Sequence, residues 1–465
     1  MDGTEPRGCS DFHAARRRVP AADPAQAIAL PDPVLETGAA RAAGLLGARA
    51  TRRQILAAGA GLAIACSTAT PFGLRGLLDA AATAEAAAPA APILVSIYLD
   101  GGNDGLNTLV PITDRRYPLL RSRIGIAPSA TLPVTGHPEF GWHPALAGLK
   151  QLFDAGKVAV LPAVDYANPD LSHFNSQIFW RTGVVGHAPD QTGWLGRTLD
   201  VIGGSSNPLQ AVSMGWIFDP ILRARRAPVA TLVDPGSFTF SIPGVPPRRD
   251  RPALRPYRGA LAGARSPARR AAQRAYRDAI GIVDRLGPLA AEGDAVPPPP
   301  VPYPDERLGQ GLRQLARVLG AGFGTRIATI SQNGYDTHGT QAGQHAALLG
   351  TLSSALVAWQ ADLDARGLSD RVLTVVWSEF GRRCEDNDSF GSDHGAGGCV
   401  LLVGNRVSGG VKSEFPGLAT LDEHGNLRIT TEFRTLYATL LESWLGVEAA
   451  RILPGVDARR LPLIA

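Results

Sequence analysis

Ile93-Leu94-Val95-Ser96-Ile97-Tyr98-Leu99 runs straight into Asp100-Gly101-Gly102-Asn103-Asp104-Gly105-Leu106-Asn107. A continuous apolar run of this length reads as a strand buried on both faces, the pattern of parallel sheets. The polar, glycine-rich tail then lies beyond the strand's carboxyl end, where open α/β sheets bind their ligands. The same grammar recurs. Residues 158–164 lead towards Leu171-Ser172-His173-Phe174, residues 327–330 into Gly334-Tyr335-Asp336-Thr337-His338, and residues 372–377 into Ser378-Glu379-Phe380-Gly381-Arg382-Arg383. A fifth run, 400–403, is instead preceded by its cluster, Asp393-His394-Gly395-Ala396-Gly397. The expected fold is therefore α/β, with a mostly parallel central sheet flanked by helices on both faces and the clusters gathered along one sheet edge.

Between the strands, apolar periodicity predicts helices over 143–154, 171–181, 308–319, 345–366 and 434–445. His143-Pro144 opens the first and Gly156 closes it, following the usual placing of Pro at helix starts and Gly at helix ends. Residues 237–304 break the pattern. They hold repeated prolines, an Ala/Arg helix over about 267–286 and the run Pro297-Pro298-Pro299-Pro300, and read as an insertion. The organisation expected is a leader over 1–88 and one α/β domain over 89–465 that carries this insertion.

The leader is read from Thr51-Arg52-Arg53-Gln54-Ile55-Leu56, a twin-arginine pair, and the modestly apolar stretch 57–65. That stretch is too short to span a bilayer and suits a signal peptide addressed to the twin-arginine export machinery. A periplasmic or secreted protein follows, with no transmembrane segment in its mature part. Lipidation at Cys66 is the second reading. Export by this route carries proteins already folded, often with a metal loaded. Cys9 and Cys66 fall in the leader, which leaves Cys384 and Cys399. These either bridge across the Asp393-His394 loop or stay unpaired as small apolar side chains.

Composition is that of an ordinary globular protein, 45% hydrophobic and 19% charged over 465 residues, with a formal charge of +4. The Arg-rich spots at 223–226 and 247–249 lack interleaved aromatics and read as solvated surface, so nucleic acid is not an expected partner.

The clusters supply the chemistry. Asp336 and His338, two apart in an extended loop, point the same way. Asp104, Glu379, Asp393 and His394 add carboxylates and an imidazole, and N/O donors of this kind suit a divalent metal such as Zn, Mn, Ca or Mg. Ser172 at a helix start is either an N-cap or a nucleophile, and His173 beside it a base or a ligand. Arg382 holds an oxyanion or lies on the surface. No Gly-x-Ser-x-Gly elbow, Rossmann fingerprint or P-loop occurs.

Taken together, the runs from Leu99 to Asn107, Ser172-His173-Phe174, Gly193-Trp194-Leu195, Asp336-Thr337-His338, Ser378 to Arg383 and Asp393 to Gly397 resemble the domain-of-unknown-function 1501 family. Its members commonly carry twin-arginine signals. The resemblance extends from about Pro92 to the end and is weakest across the insertion. That family is similar to the alkaline phosphatase and sulfatase superfamily, an α/β scaffold with metals and a nucleophile at its strand ends. The resemblance implies a first-strand metal carboxylate at Asp100 or, preferably, Asp104, and a nucleophile at Ser172. It matches Asp336 and His338 to an Asp/His ligand pair. Where the superfamily has Asp-His-Gly, this chain reads Glu379-Phe380-Gly381, so one histidine ligand is lost and His394 is left to supply the late imidazole. The implied activity is a metal-dependent hydrolase of phosphate or sulfate esters, small or polymeric, with Ser172, His173 and Arg382 as catalytic groups. The alternatives are a non-catalytic envelope or secreted binding protein on the same scaffold and, more remotely, an exported oxidoreductase.

Overall fold

The computed structural model describes residues 91–186, 191–204, 206–233, 298–456 and 459–465, with scattered positions between 270 and 289. The leader, with its arginine pair and Cys9 and Cys66, and most of the insertion lie outside the described residues. Nearly all described residues fall in one compact unit, Ser67–Phe238 with Arg274–Ala465.

Each of the five apolar runs is a strand. They are β1 (Ile93–Asp100), β2 (Val158–Asp165), β5 (Ile327–Asn333), β6 (Val372–Trp377) and β7 (Gly398–Val403). Two further strands, β3 (Ala211–Met214) and β4 (Ala230–Leu232), extend the sheet, and the short β8 (Gly410–Val411) and β9 (Thr431–Glu432) edge β2. Along the main path the order is β8-β2-β7-β6-β1-β5-β3-β4. β1 lies between β5 and β6 and runs parallel to both, with Leu94 level with Ile327 on one side and Leu373 on the other.

β7 runs against both of its neighbours, β2 and β6. This explains why its polar cluster precedes it in sequence. In a reversed strand the amino end lies where the parallel strands have their carboxyl ends, so Asp393-His394 arrives at the same edge as the other clusters.

Alternation along β1 splits the core in two. Ile93, Val95, Ile97 and Leu99 join one buried cluster, and Leu94 and Tyr98 the other. The first face is covered by α1 (Ala147–Asp154), α4 (Arg307–Gly320) and α5 (Gln341–Ala365). The second is covered by α2 (His173–Thr182), α3 (Trp194–Ile202) and α6 (Phe433–Thr439). The mostly parallel sheet with helices on both faces is thus as the sequence foretold. α5 is long and apolar enough to cross a membrane by composition. Its Leu349, Leu352, Leu356 and Trp359 are instead packed into the first core. α1 begins as a 3-10 turn, Pro144–Leu146, whose first N–H groups are met by the His143 ring accepting from the Ala145 N–H.

One buried ion pair ties the first turn to its surroundings. Both Asp104 oxygens accept from the Arg121 guanidinium, at 2.6 and 3.1 Å, and both side chains are fully buried. Arg121 also donates to the carbonyls of Cys384 and Arg383, each at 2.8 Å. Breaking a buried pair from one side leaves an uncompensated charge, which costs about 3–5 kcal/mol. Arg121→Met should therefore lower the stability measured by denaturant unfolding by about that amount, and Asp104→Leu combined with it should recover much of the loss.

Candidate metal centre

The turn after β1 can sit where it does only because it is glycine. At Gly101 (φ +121°) an added Cβ would fall 2.3 Å from the Asp336 nitrogen, and at Gly102 (φ +81°) 2.4 Å from the Phe380 ring. The backbones of the β1 turn and the loop after β5 therefore touch, and the Tyr335 N–H donates to the Asp100 carbonyl at 3.1 Å. This contact sets Asp336 over the carboxyl end of β1.

Three imidazoles converge on Asp336. Its Oδ1 lies 3.4 Å from His173 Nε2, 3.0 Å from His338 Nε2 and 3.2 Å from His394 Nε2. His173 opens α2, His338 follows β5 and His394 precedes β7. In each ring the other nitrogen is committed. His173 Nδ1 donates to Glu379 at 2.8 Å, His338 Nδ1 to Asp393 at 2.8 Å and His394 Nδ1 to the Leu171 carbonyl at 2.7 Å. Carboxylates and carbonyls only accept, so each Nδ1 carries the proton and each Nε2 presents a lone pair when the ring is neutral.

The lone pairs meet. His338 Nε2 and His394 Nε2 are 2.9 Å apart, and His173 Nε2 is buried with Asp336 Oδ1 3.4 Å away. A proton on one ring relieves one such contact. Only a cation relieves all of them together with Asp336. His173, Asp336 and His394 present donor atoms within 4.8 Å of one another, and His338 adjoins them. The donor set fits a metal ion.

The surroundings hold these groups in place, as supporting hydrogen bonds do for metal ligands generally. Glu379, fully buried, also accepts from the N–H groups of Gly101 (3.2 Å) and Gly102 (3.1 Å). Asp393 accepts from Asn387 at 3.0 Å. Arg382 donates to Asp336 at 2.7 Å, to the carbonyls of Gly102 and Ser392 at 2.8 Å each, to that of Tyr335 at 3.0 Å, and to that of Gly101. The Phe380 ring packs 4.9 Å from the His173 ring and 4.6 Å from the His394 ring.

Several expectations change place. Asp336, His338 and His394 are brought together as expected, and His173 joins them on the donor side. Glu379 and Asp393 lie on the Nδ1 side of His173 and His338, away from the Nε2 atoms. Arg382 is not on the surface, and all three of its nitrogens are taken up by backbone and Asp336. Asp104 is corrected outright: its oxygens belong to Arg121, Gln341 and the Asn107 N–H. The first-strand carboxylate beside the cluster is Asp100, which feels the charges of Glu379 and His173. Ser172 occupies the N-cap position of α2, but its hydroxyl makes no capping hydrogen bond. Cys384 and Cys399 are both buried and unbridged. Arg121 was missed, because its role depends on a partner seventeen residues back across a turn.

Electrostatics follow the geometry. Burial opposes charge on His173, yet the hydrogen-bonding carboxylates Asp336 and Glu379 push it up to about 9. Hydrogen bonds to Asp336 and Asp393 raise His338. Burial lowers His394. Asp336, despite burial, is held well below the carboxylate range by the three histidines and Arg382.

An α/β protein with a three-histidine, one-aspartate cluster at the carboxyl edge of its sheet is the class these features define. Residues 269–463 match the family model described as "Protein of unknown function (DUF1501)". The Asp336, Glu379 and Asp393-His394 motifs lie inside this stretch, whereas the β1 turn and Ser172-His173 lie before it. No curated protein matches the sequence. Among solved structures, "Crystal structure of Ps i-CgsB in complex with k-i-k-neocarrahexaose" is similar at 10% identity, with 79% of this chain and 75% of that chain covered and a TM-score of 0.37. "Crystal structure of Ps i-CgsB" is similar at the same identity and coverage with a TM-score of 0.35. Likeness at this level says nothing of what this chain acts on.

His173 links the cluster to pH. Its folded-state value exceeds the ordinary one, so the stability contributed by its protonated form is fully present below about pH 6.5. That contribution disappears as pH rises through about 9. Chelator-treated protein should lose thermal stability across this window in scanning calorimetry. Saturating divalent metal, which takes the proton's place, should flatten the slope.

Proposed function

We propose that this chain is a metal-dependent hydrolase of phosphate or sulfate esters, working at the cluster of His173, His338, His394 and Asp336. The observation that carries this reading is the 2.9 Å approach of the His338 and His394 Nε2 atoms, both with their Nδ1 protons committed elsewhere. A donor set of three imidazoles and one carboxylate suits zinc, manganese or iron, and disfavours calcium and magnesium, which prefer all-oxygen shells. When bound, such an ion would lower the pKa of water and polarise the ester oxygen.

The chain's own groups prepare the site. Glu379 and Asp393 fix two histidines in the tautomer that turns Nε2 inward. Arg382 orients Asp336 and so acts through it. The Asp336 side chain is 45% exposed, which leaves the cluster open to a substrate, small or polymeric. Ser172 precedes His173 at the positive end of α2, where free N–H groups favour negative charge. Its hydroxyl, not used as a cap, is the candidate nucleophile, and water is the other. Export through the twin-arginine route to the periplasm or beyond is part of the proposal and rests on Arg52-Arg53 and the apolar stretch after them.

Metal analysis of the full chain, paired with turnover of aryl phosphates and aryl sulfates, tests the reading. About one ion per chain is expected, and His338→Ala should lose both the ion and turnover. Ser172→Ala separates the nucleophiles. Lost turnover with the ion retained assigns attack to the hydroxyl, and unchanged turnover assigns it to water. No ion and no turnover in the wild type would favour the non-catalytic binding protein instead.

A further inference from the structure

We propose that the tetrahedral ester accepted here carries a single negative charge, as a sulfate monoester or a phosphate diester does, and that a doubly charged phosphate monoester is selected against. This rests on the hydrolase reading and narrows it. The argument is a count of charge at the cluster. Asp336, Glu379 and Asp393 contribute three negative charges within hydrogen-bond reach of the three histidines. Metal binding requires the histidines to be neutral at Nε2. Against the carboxylates stand one divalent ion and Arg382, so the centre is neutral overall. Asp100 adds a further carboxylate beside Glu379 and His173, within the field of Arg181.

The decisive feature is that Arg382 is buried and each of its three nitrogens is already engaged. Its side chain is fully buried, and its three nitrogens donate to four backbone carbonyls and to Asp336. Among the described residues, no other lysine or arginine donates to the carboxylates of the cluster. Arg181 pairs with Asp219 at 3.3 Å and lies over the Tyr98 ring. Arg383 donates to the His424 carbonyl at 2.7 Å, away from the three Nε2 atoms, and only its field reaches Asp393. A first negative charge on the substrate is met by the ion and by the start of α2. A second would be met by no further lysine or arginine that donates to the cluster among the described residues, and Asp100 would stand nearby.

Calorimetric titration of the metal-loaded chain with two non-hydrolysable probes tests this. Benzenesulfonate keeps one charge throughout, whereas benzenephosphonate carries two at about pH 8.5 and mostly one at about pH 5. At the higher pH the sulfonate should bind at least about tenfold tighter, and the gap should close at the lower pH, with the sulfonate itself as control for titration of the protein. Asp100→Asn keeps the oxygen that accepts from Tyr98 and Gln177, and should narrow the gap several-fold. In turnover, an aryl sulfate and an aryl methyl phosphate, run as separate arms, should each exceed the aryl phosphate monoester and show which singly charged ester is used. Equal or tighter binding of the doubly charged phosphonate, or no binding of either probe, overturns the inference. If the binding order holds but no ester is hydrolysed, the hydrolase reading fails and the charge preference stands.

Discussion

Each histidine of the cluster has one nitrogen already spoken for, and that constraint governs everything else at the site. With Nδ1 protons fixed on Glu379, Asp393 and the Leu171 carbonyl, three lone pairs turn towards Asp336. The carboxylates Asp336, Glu379 and Asp393 push His173 and His338 upward, whereas burial lowers His394. A cation placed among these atoms would take the space that a proton otherwise fills.

The supporting groups reach back into the fold. Glu379 is gripped by the Gly101 and Gly102 amides, so the glycine-rich turn after β1 serves to anchor a carboxylate. Ser378 strengthens the same joint by accepting from the Gly102 and Asn103 N–H groups and donating to the Leu99 carbonyl. One step further out, Asp104 and Arg121 lock the turn to the chain around Cys384. The stability of the core and the geometry of the centre are therefore two aspects of one network.

Much of this was legible in the sequence. The apolar runs marked their strands to within a few residues, because strands buried on both faces need apolar side chains at every position. The clusters at their ends marked the edge where the histidines meet Asp336, and the inverted order at Asp393-His394 is the signature of the reversed β7. Two parts were hidden. β3 and β4 are only four and three residues long, with no polar cluster to flag them. The roles of individual carboxylates were also out of reach, since Asp104, Glu379 and Asp393 differ only in which partner the fold brings up to them. Arg382 was left open for the same reason: an arginine after a strand can hold an oxyanion or lie on the surface, until the fold closes backbone carbonyls over it.

The most direct measurement is anomalous diffraction from crystals of the chain soaked in zinc or manganese, collected at the metal's absorption edge. The account predicts one strong peak about 2.0–2.2 Å from the Nε2 atoms of His173, His338 and His394 and from an Asp336 oxygen. A peak bound instead by Asp104 or Glu379, or none at this cluster in metal-saturated crystals, would contradict it.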